Sequence, residues 1–183
     1  MPSSSLIAYP LRPGRVHEAC GPSAASFALW TAALIGGDVI WVREAWRAEQ
    51  LNPLGFQGLD PARVILAQTM DQNDTLAVVE EALRDGAVPF VILETTAPIG
   101  LTAGRRLQLA AQAGGTTGLC LIPEGMGSNA AETRWHCAPV FDAQDSTRQR
   151  WSLIKNKSGT CEAWNVRWNP EAHRVAVVSP VRE

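Results

Sequence analysis

The residues best placed to do chemistry begin at Gly21. The stretch Gly21-Pro22-Ser23-Ala24-Ala25-Ser26-Phe27-Ala28 follows a short strand-like run, RVHEAC, and leads into an apolar helix. That is the layout of a phosphate-binding loop, which reads G-x-x-x-x-G-K-[ST]. In such a loop, backbone N–H groups at a helix start bind the phosphates, the lysine supplies charge and the hydroxyl holds Mg²⁺. Here Gly21 stands at the first glycine position, Ser26 at the second, Phe27 at the lysine and Ala28 at the hydroxyl. A helix N-terminus alone contributes only about 0.3–2 kcal/mol to an anion. That is too little to hold a triphosphate and its Mg²⁺. A ring at position 27 is also expected to fill the phosphate space. The competing reading is a strand-to-helix turn selected for packing. On either reading, no catalytic residue and no bound cofactor are expected.

Two carboxylates end strand-like runs: Glu44 closes DVIWVRE and Glu94 closes VPFVILE. The carboxyl ends of parallel strands are where active residues gather. Without phosphate chemistry beside them, both carboxylates read as hydrogen-bonding or capping groups. The chain has only two lysines, Lys155 and Lys157, and a strand points both to one side. They read either as a contact to phosphate or to an acidic partner face, or as a solvated strand end before Ser158-Gly159. Arg105 and Arg106 open a helix, where the dipole disfavours cations; a solvated face is the default and a partner contact the alternative. His17, Glu18 and Ser23 lie near the loop but form no nucleophile–base–orienter set. Among the seven tryptophans, Trp135 and Trp151, with Trp46 and Trp168, are candidate partner-binding anchors, and Trp30 and Trp41 are expected in the core. Four cysteines without a CxxC pair and three histidines without an HxxxH pair exclude the usual zinc patterns, so no metal is expected.

The elements that must position these residues read clearly. A chain of 183 residues favours one domain. Its net charge of −2 gives no global drive towards nucleic acid, and direct nucleic-acid binding is not expected. No run approaches about 18 apolar residues, so no membrane span is expected. The start, MPSSSLIAYP, lacks the basic opening of a secretory signal, and a cytoplasmic protein is expected. Residues 1–14 read as an arm in which LIAY adds a strand to a sheet edge, 15–179 as the core and 180–183 as a tail. SAASFALWTAALIGG, NDTLAVVEEALRDG and GLTAGRRLQLAAQAGG read as helices, with Ser23 capping the first and Asn73 or Asp74 the second. DVIWVRE, RVILAQ, VPFVILE and TTGLCLIPE read as strands between them. This alternation points to an α/β fold, a mostly parallel sheet with helices on both faces. RQRWSLIKNKSG, EAWNVRW and HRVAVV read as further strands, the last two an antiparallel hairpin turned at NPEA.

Loop position, element order and downstream motifs together resemble the RecA-type ATPase core, and within it the shorter RecA-like proteins of the ImuA group. GPSAAS stands at the phosphate loop, and DVIWVREAWRAEQLNP resembles the strand that ends in the hydrolytic base, at Glu44. LRDGAVPFVILET resembles the Walker B element, with Glu94 where an aspartate is usual. SNAAETRWHCAPVFD resembles the segment after the DNA-binding loops. RWSLIKNKSG carries KNK, which resembles a strand whose two lysines reach a neighbour's nucleotide. GRVHEACG, LNPLGF, ETRW and RWSL resemble the ImuA group in particular, and the resemblance covers roughly residues 11–178. It implies a RecA-like fold and an accessory role in the bacterial DNA-damage (SOS) response. The partners implied are proteins: a Y-family-like translesion polymerase subunit or RecA. It also permits a SulA-like division inhibitor that binds FtsZ, or a RecA-like ATPase that still binds nucleotide.

Overall fold

The structure is a computed structural model that describes residues 6–180. The outer part of the expected arm, and the expected tail beyond Pro180, lie outside the described residues. The alternating pattern of the sequence becomes strands β1 (Val16–Cys20), β2 (Val39–Glu44), β3 (Val64–Thr69), β4 (Phe90–Glu94) and β5 (Thr117–Leu121), with helices α1 (Ala24–Ile35), α2 (Gln72–Asp85) and α3 (Leu101–Gly114) between them. Four further strands follow: β6 (Thr133–Pro139), β7 (Gln149–Asn156), β8 (Ala163–Asn169) and β9 (Arg174–Pro180). Among the described residues they form one sheet in the order β3-β2-β4-β5-β1-β6-β7-β8-β9. The strands from β3 to β6 in that order are parallel, and β6 to β9 pair antiparallel. The expected C-terminal hairpin is therefore the outer half of an antiparallel block that begins at β6.

Side chains that alternate along a strand divide between the two faces. Phe90 and Ile92 of β4 join the core under α1, whereas Val91 and Leu93 join the core under α2 and α3. On the α1 face the core is largely aromatic. Trp151 stands directly opposite Trp164 and beside Cys137 in the antiparallel ladder. Trp30 reaches from α1 to ring-centroid distances of 5.7 Å from Trp151 and 5.8 Å from Trp168. Such tilted ring pairs add about 0.5–1.5 kcal/mol each beyond the area they bury.

The tryptophans correct one expectation. Trp135 and Trp151 are fully buried and Trp168 nearly so, so they are core residues and not partner-binding anchors. Trp30 and Trp41 are buried as expected, and Trp46 is exposed. The reason is the antiparallel block: β6, β7 and β8 lay one face against α1, and every tryptophan on that face is covered.

Residues 6–14 form no strand, against the expectation for LIAY. Instead Leu11 is buried, and the Tyr9 ring sits 5.9 Å from Phe27 and 5.2 Å from Trp151. The segment closes the open end of the α1 face. α2 is capped by Asp71, whose carboxylate accepts from the N–H of Asp74, and not by Asn73 or Asp74. It stops at Gly86 in the left-handed conformation.

Candidate functional site

Ligands in open α/β sheets bind at the carboxyl ends of the strands, where connections part to opposite faces. Here that place spans the ends of β1, β5 and β4, because α1 leaves β1 towards one face and α3 leaves β4 towards the other. The loop after β1 is shorter than the motif spacing implies. Only Gly21, Pro22 and Ser23 stand between β1 and α1. Ser26, Phe27 and Ala28 are inside the helix, so the alignment of Ser26 with a second loop glycine does not hold. Ser23 is the residue before the helix, as expected, but its side chain makes no capping bond.

The loop is also closed by a neighbour. The Ser23 N–H donates to the Cys137 carbonyl at 3.0 Å, and the Ala24 N–H to the Gly21 carbonyl at 3.1 Å. Gly21 has φ +90°, and a Cβ there would stand 2.5 Å from the Cys137 oxygen. β6 therefore lies against the turn, and a backbone donor that would face a phosphate is spent on β6. Phe27 is fully buried, with ring centroids 4.6 Å from Trp151 and 5.5 Å from Trp135. Its ring fills the core under α1 and not, as expected, the space of the phosphates. Burial raises the thiol pKa of Cys20, at the head of the loop, and raises that of Cys137 well above the usual range. Burial thus disfavours the thiolate form of both.

The two strand-end carboxylates are both engaged. Glu94 accepts from the Trp41 indole N–H at 3.0 Å. It also pairs with Arg43 at 3.3 Å and Arg47 at 3.1 Å. Arg43 is buried, and Glu49 is a second, more distant carboxylate for both arginines at 3.8 and 3.9 Å. Glu44 accepts from the Trp46 indole N–H. Two guanidiniums and an indole therefore surround the Glu94 carboxylate. Among the described residues no group of three or more His, Cys, Asp or Glu is arranged to hold a metal ion.

Sequence reasoning missed the most buried charged group of the site. Glu18 is 1% exposed in β1. It accepts from Arg134 Nε at 2.7 Å and from the Ser128 N–H at 2.8 Å. Arg134 also donates to the Ser128 carbonyl at 2.9 Å. The signal was a glutamate inside a strand that must be covered on both faces, since a buried charge needs a partner. Glu18 and Arg134 are direct cross-strand partners, but that register is not written locally.

The lysines are neither at the loop nor simply solvated. Lys155 Nζ donates to the carbonyls of Asn129, at 3.1 Å, and Ala131, and Lys157 Nζ to that of Ala130 at 2.7 Å. Together they hold the segment before β6 by its backbone. Burial, and then the neighbouring Lys157 charge, lower the Lys155 pKa. The structure does not bring Lys155, Lys157 and Glu94 into one site.

No family model matches the chain. Two curated relatives do, both called protein ImuA, from Caulobacter vibrioides strains NA1000 / CB15N and ATCC 19089 / CIP 103742 / CB 15. Each is 38% identical over 118 residues, which cover 57% of this chain and 47% of the relative. Over that stretch the chain is similar to ImuA. It spans about half the length of the ImuA proteins it matches. Its RecA-like fold is seen in the similarity to the crystal structure of the RadB recombinase, with a TM-score of 0.63 over 90% of both chains. The sequence identity there is 14%, so that likeness speaks for the fold alone. No helix among the described residues is long and apolar enough to cross a membrane.

Proposed function

We propose that this chain is a non-catalytic RecA-like accessory protein of the bacterial DNA-damage (SOS) response. It works through protein contacts with an error-prone translesion polymerase assembly and does not hydrolyse nucleotide. One observation carries the non-catalytic part: the turn after β1 is closed onto β6 by the Ser23 N–H to Cys137 carbonyl bond. The engagement of Glu94 by Arg43 and Arg47 supports it, because the carboxylate at the strand end is occupied by contacts within the chain. The relation to ImuA supports the cellular setting.

The test is a clean deletion in the organism that carries the gene. The expected result is loss of damage-induced mutagenesis with normal cell length, restored by the wild-type chain. Filamentous cells on overexpression without DNA damage would move the assignment to a division inhibitor. Complementation that fails specifically on loss of nucleotide binding would move it to an ATPase.

A further inference from the structure

The groove between α3 and the segment before β6 belongs to none of the site described above. One wall is the outer side of α3, with Leu101, Arg105 and Leu109 at successive i, i+4 positions. The other is Asn129, Ala130 and Lys157, with Gln108 also lining the cavity of about 570 Å³. Leu101 is 46% and Leu109 67% exposed. A single exposed leucine needs no explanation. Two on one helical stripe, bracketing an arginine in a concave site, mark a contact surface.

The groove is built, not incidental. Gly104 lets the opposite wall approach the helix: a Cβ there would lie 2.6 Å from Ser128 Oγ and 2.9 Å from Ala130 Cβ. The Gln108 amide donates to the carbonyls of Val16 and Ala130 at 2.7 and 3.1 Å and accepts from the Val16 N–H at 3.1 Å. Lys155 and Lys157 hold residues 129–131 by their carbonyls. Walls fixed in this way have little ordering left to do on binding.

Both charged lining residues are cations, Arg105 and Lys157, and no carboxylate lines the groove. The neighbouring Arg106 is engaged by Glu80 at 2.7 Å, whereas Arg105 pairs with no carboxylate among the described residues. In a chain of net charge −2 this is a local reversal of sign.

We infer that the groove docks an acidic amphipathic helix of a partner protein. Its apolar residues cover Leu101 and Leu109, and its carboxylates face Arg105 and Lys157. The two leucines are about 12 Å apart along α3 at about 1.5 Å per residue, which matches apolar residues two turns apart on the partner. A nucleic-acid backbone would use the cations and leave both leucines in water. The inference rests on the docking reading above and gives it a surface.

A displayed library of random peptides, about 16 residues long to allow four helical turns, tests it. Selection is on the wild-type chain, with counter-selection on the Arg105→Glu, Leu109→Ser chain. Both positions are exposed, so the double variant is expected to keep its fold, checked by its circular dichroism and Tm. The expected consensus is acidic, with bulky apolar residues two turns apart. A synthetic peptide of that consensus is expected to lose about tenfold or more in affinity on Leu109→Ser alone and to weaken as salt rises. No enrichment, a neutral or basic consensus, or equal binding to the double variant overturns the inference. So does a single-stranded oligonucleotide that competes with the selected peptide for the groove. If selection fails while deletion still abolishes damage-induced mutagenesis, the groove assignment falls and the docking reading stands. If selection succeeds and deletion changes nothing, the reverse holds.

Discussion

At the scale of single residues, the buried polar groups at the core of the sheet are committed to structure. Glu18 and Arg134 staple β1 to β6 and to Ser128. Removing one member of a buried pair leaves the other uncompensated, at about 3–5 kcal/mol. Arg134→Met is therefore expected to lower the unfolding free energy from urea denaturation by about that much, and Glu18→Leu added to it to recover most of the loss. His17 is fully buried, with Nδ1 2.7 Å from Thr133 Oγ1 and Nε2 3.1 Å from the Arg12 carbonyl. Burial pushes its pKa down to about 4 from 6.5, and the charges of Arg12 and Arg15 act in the same direction. The neutral ring is the folded form, and the unfolded chain takes up the proton first. Its contribution to stability is thus complete above pH 6.5 and lost as pH falls towards 4. The drop amounts to about 3 kcal/mol at most. His17→Gln is expected to flatten the wild-type loss of stability across that window in chemical denaturation at stepped pH. Neither role was legible in the sequence, because Glu18 and its arginine are 116 residues apart, as are His17 and Thr133.

At the scale of elements, the turn from β1 into α1 decides the chemistry. Phe27 lies inside the helix and faces Trp135 and Trp151, so a lysine there does not rebuild a phosphate loop. Phe27→Lys is expected to bury an unpaired ammonium and to unfold the chain, read as loss of near-ultraviolet circular dichroism. A folded Phe27→Lys protein would mean that the side chain faces the loop. Gly21→Ala tests the other end of the turn. It forces a side chain to φ +90° against the Cys137 oxygen and is expected to cost more than about 1 kcal/mol in thermal unfolding. The three helices and the parallel strands could be read locally, because periods of 3.6 and 2 and the glycine stops are local signals. The helix start could not. Counting from Gly21 follows the motif, whereas the turn is shortened by a hydrogen bond to β6, far along the chain. The tryptophans failed for a related reason. Aromatic residues favour cores and interfaces alike, and only the packing of β6–β8 under α1 separates Trp135 and Trp151 from Trp46.

At the scale of the molecule, the sheet keeps the RecA-like arrangement, and the loop, the strand-end carboxylates and the lysine pair are engaged within the chain. The loop is held by β6, Glu94 by Arg43 and Arg47, and Glu44 by Trp46. The lysine pair is turned to the carbonyls of residues 129–131. What the surface offers instead is the groove beside α3. On the proposed function, this protein acts by docking and not by cleaving nucleotide. Isothermal titration of the full chain with ATP and Mg²⁺, followed by amide chemical shifts, tests it most directly. No saturable heat and no shift at Gly21, Ser23 or Ala24 are expected. Saturable heat with shifts centred on that turn would contradict the docking reading.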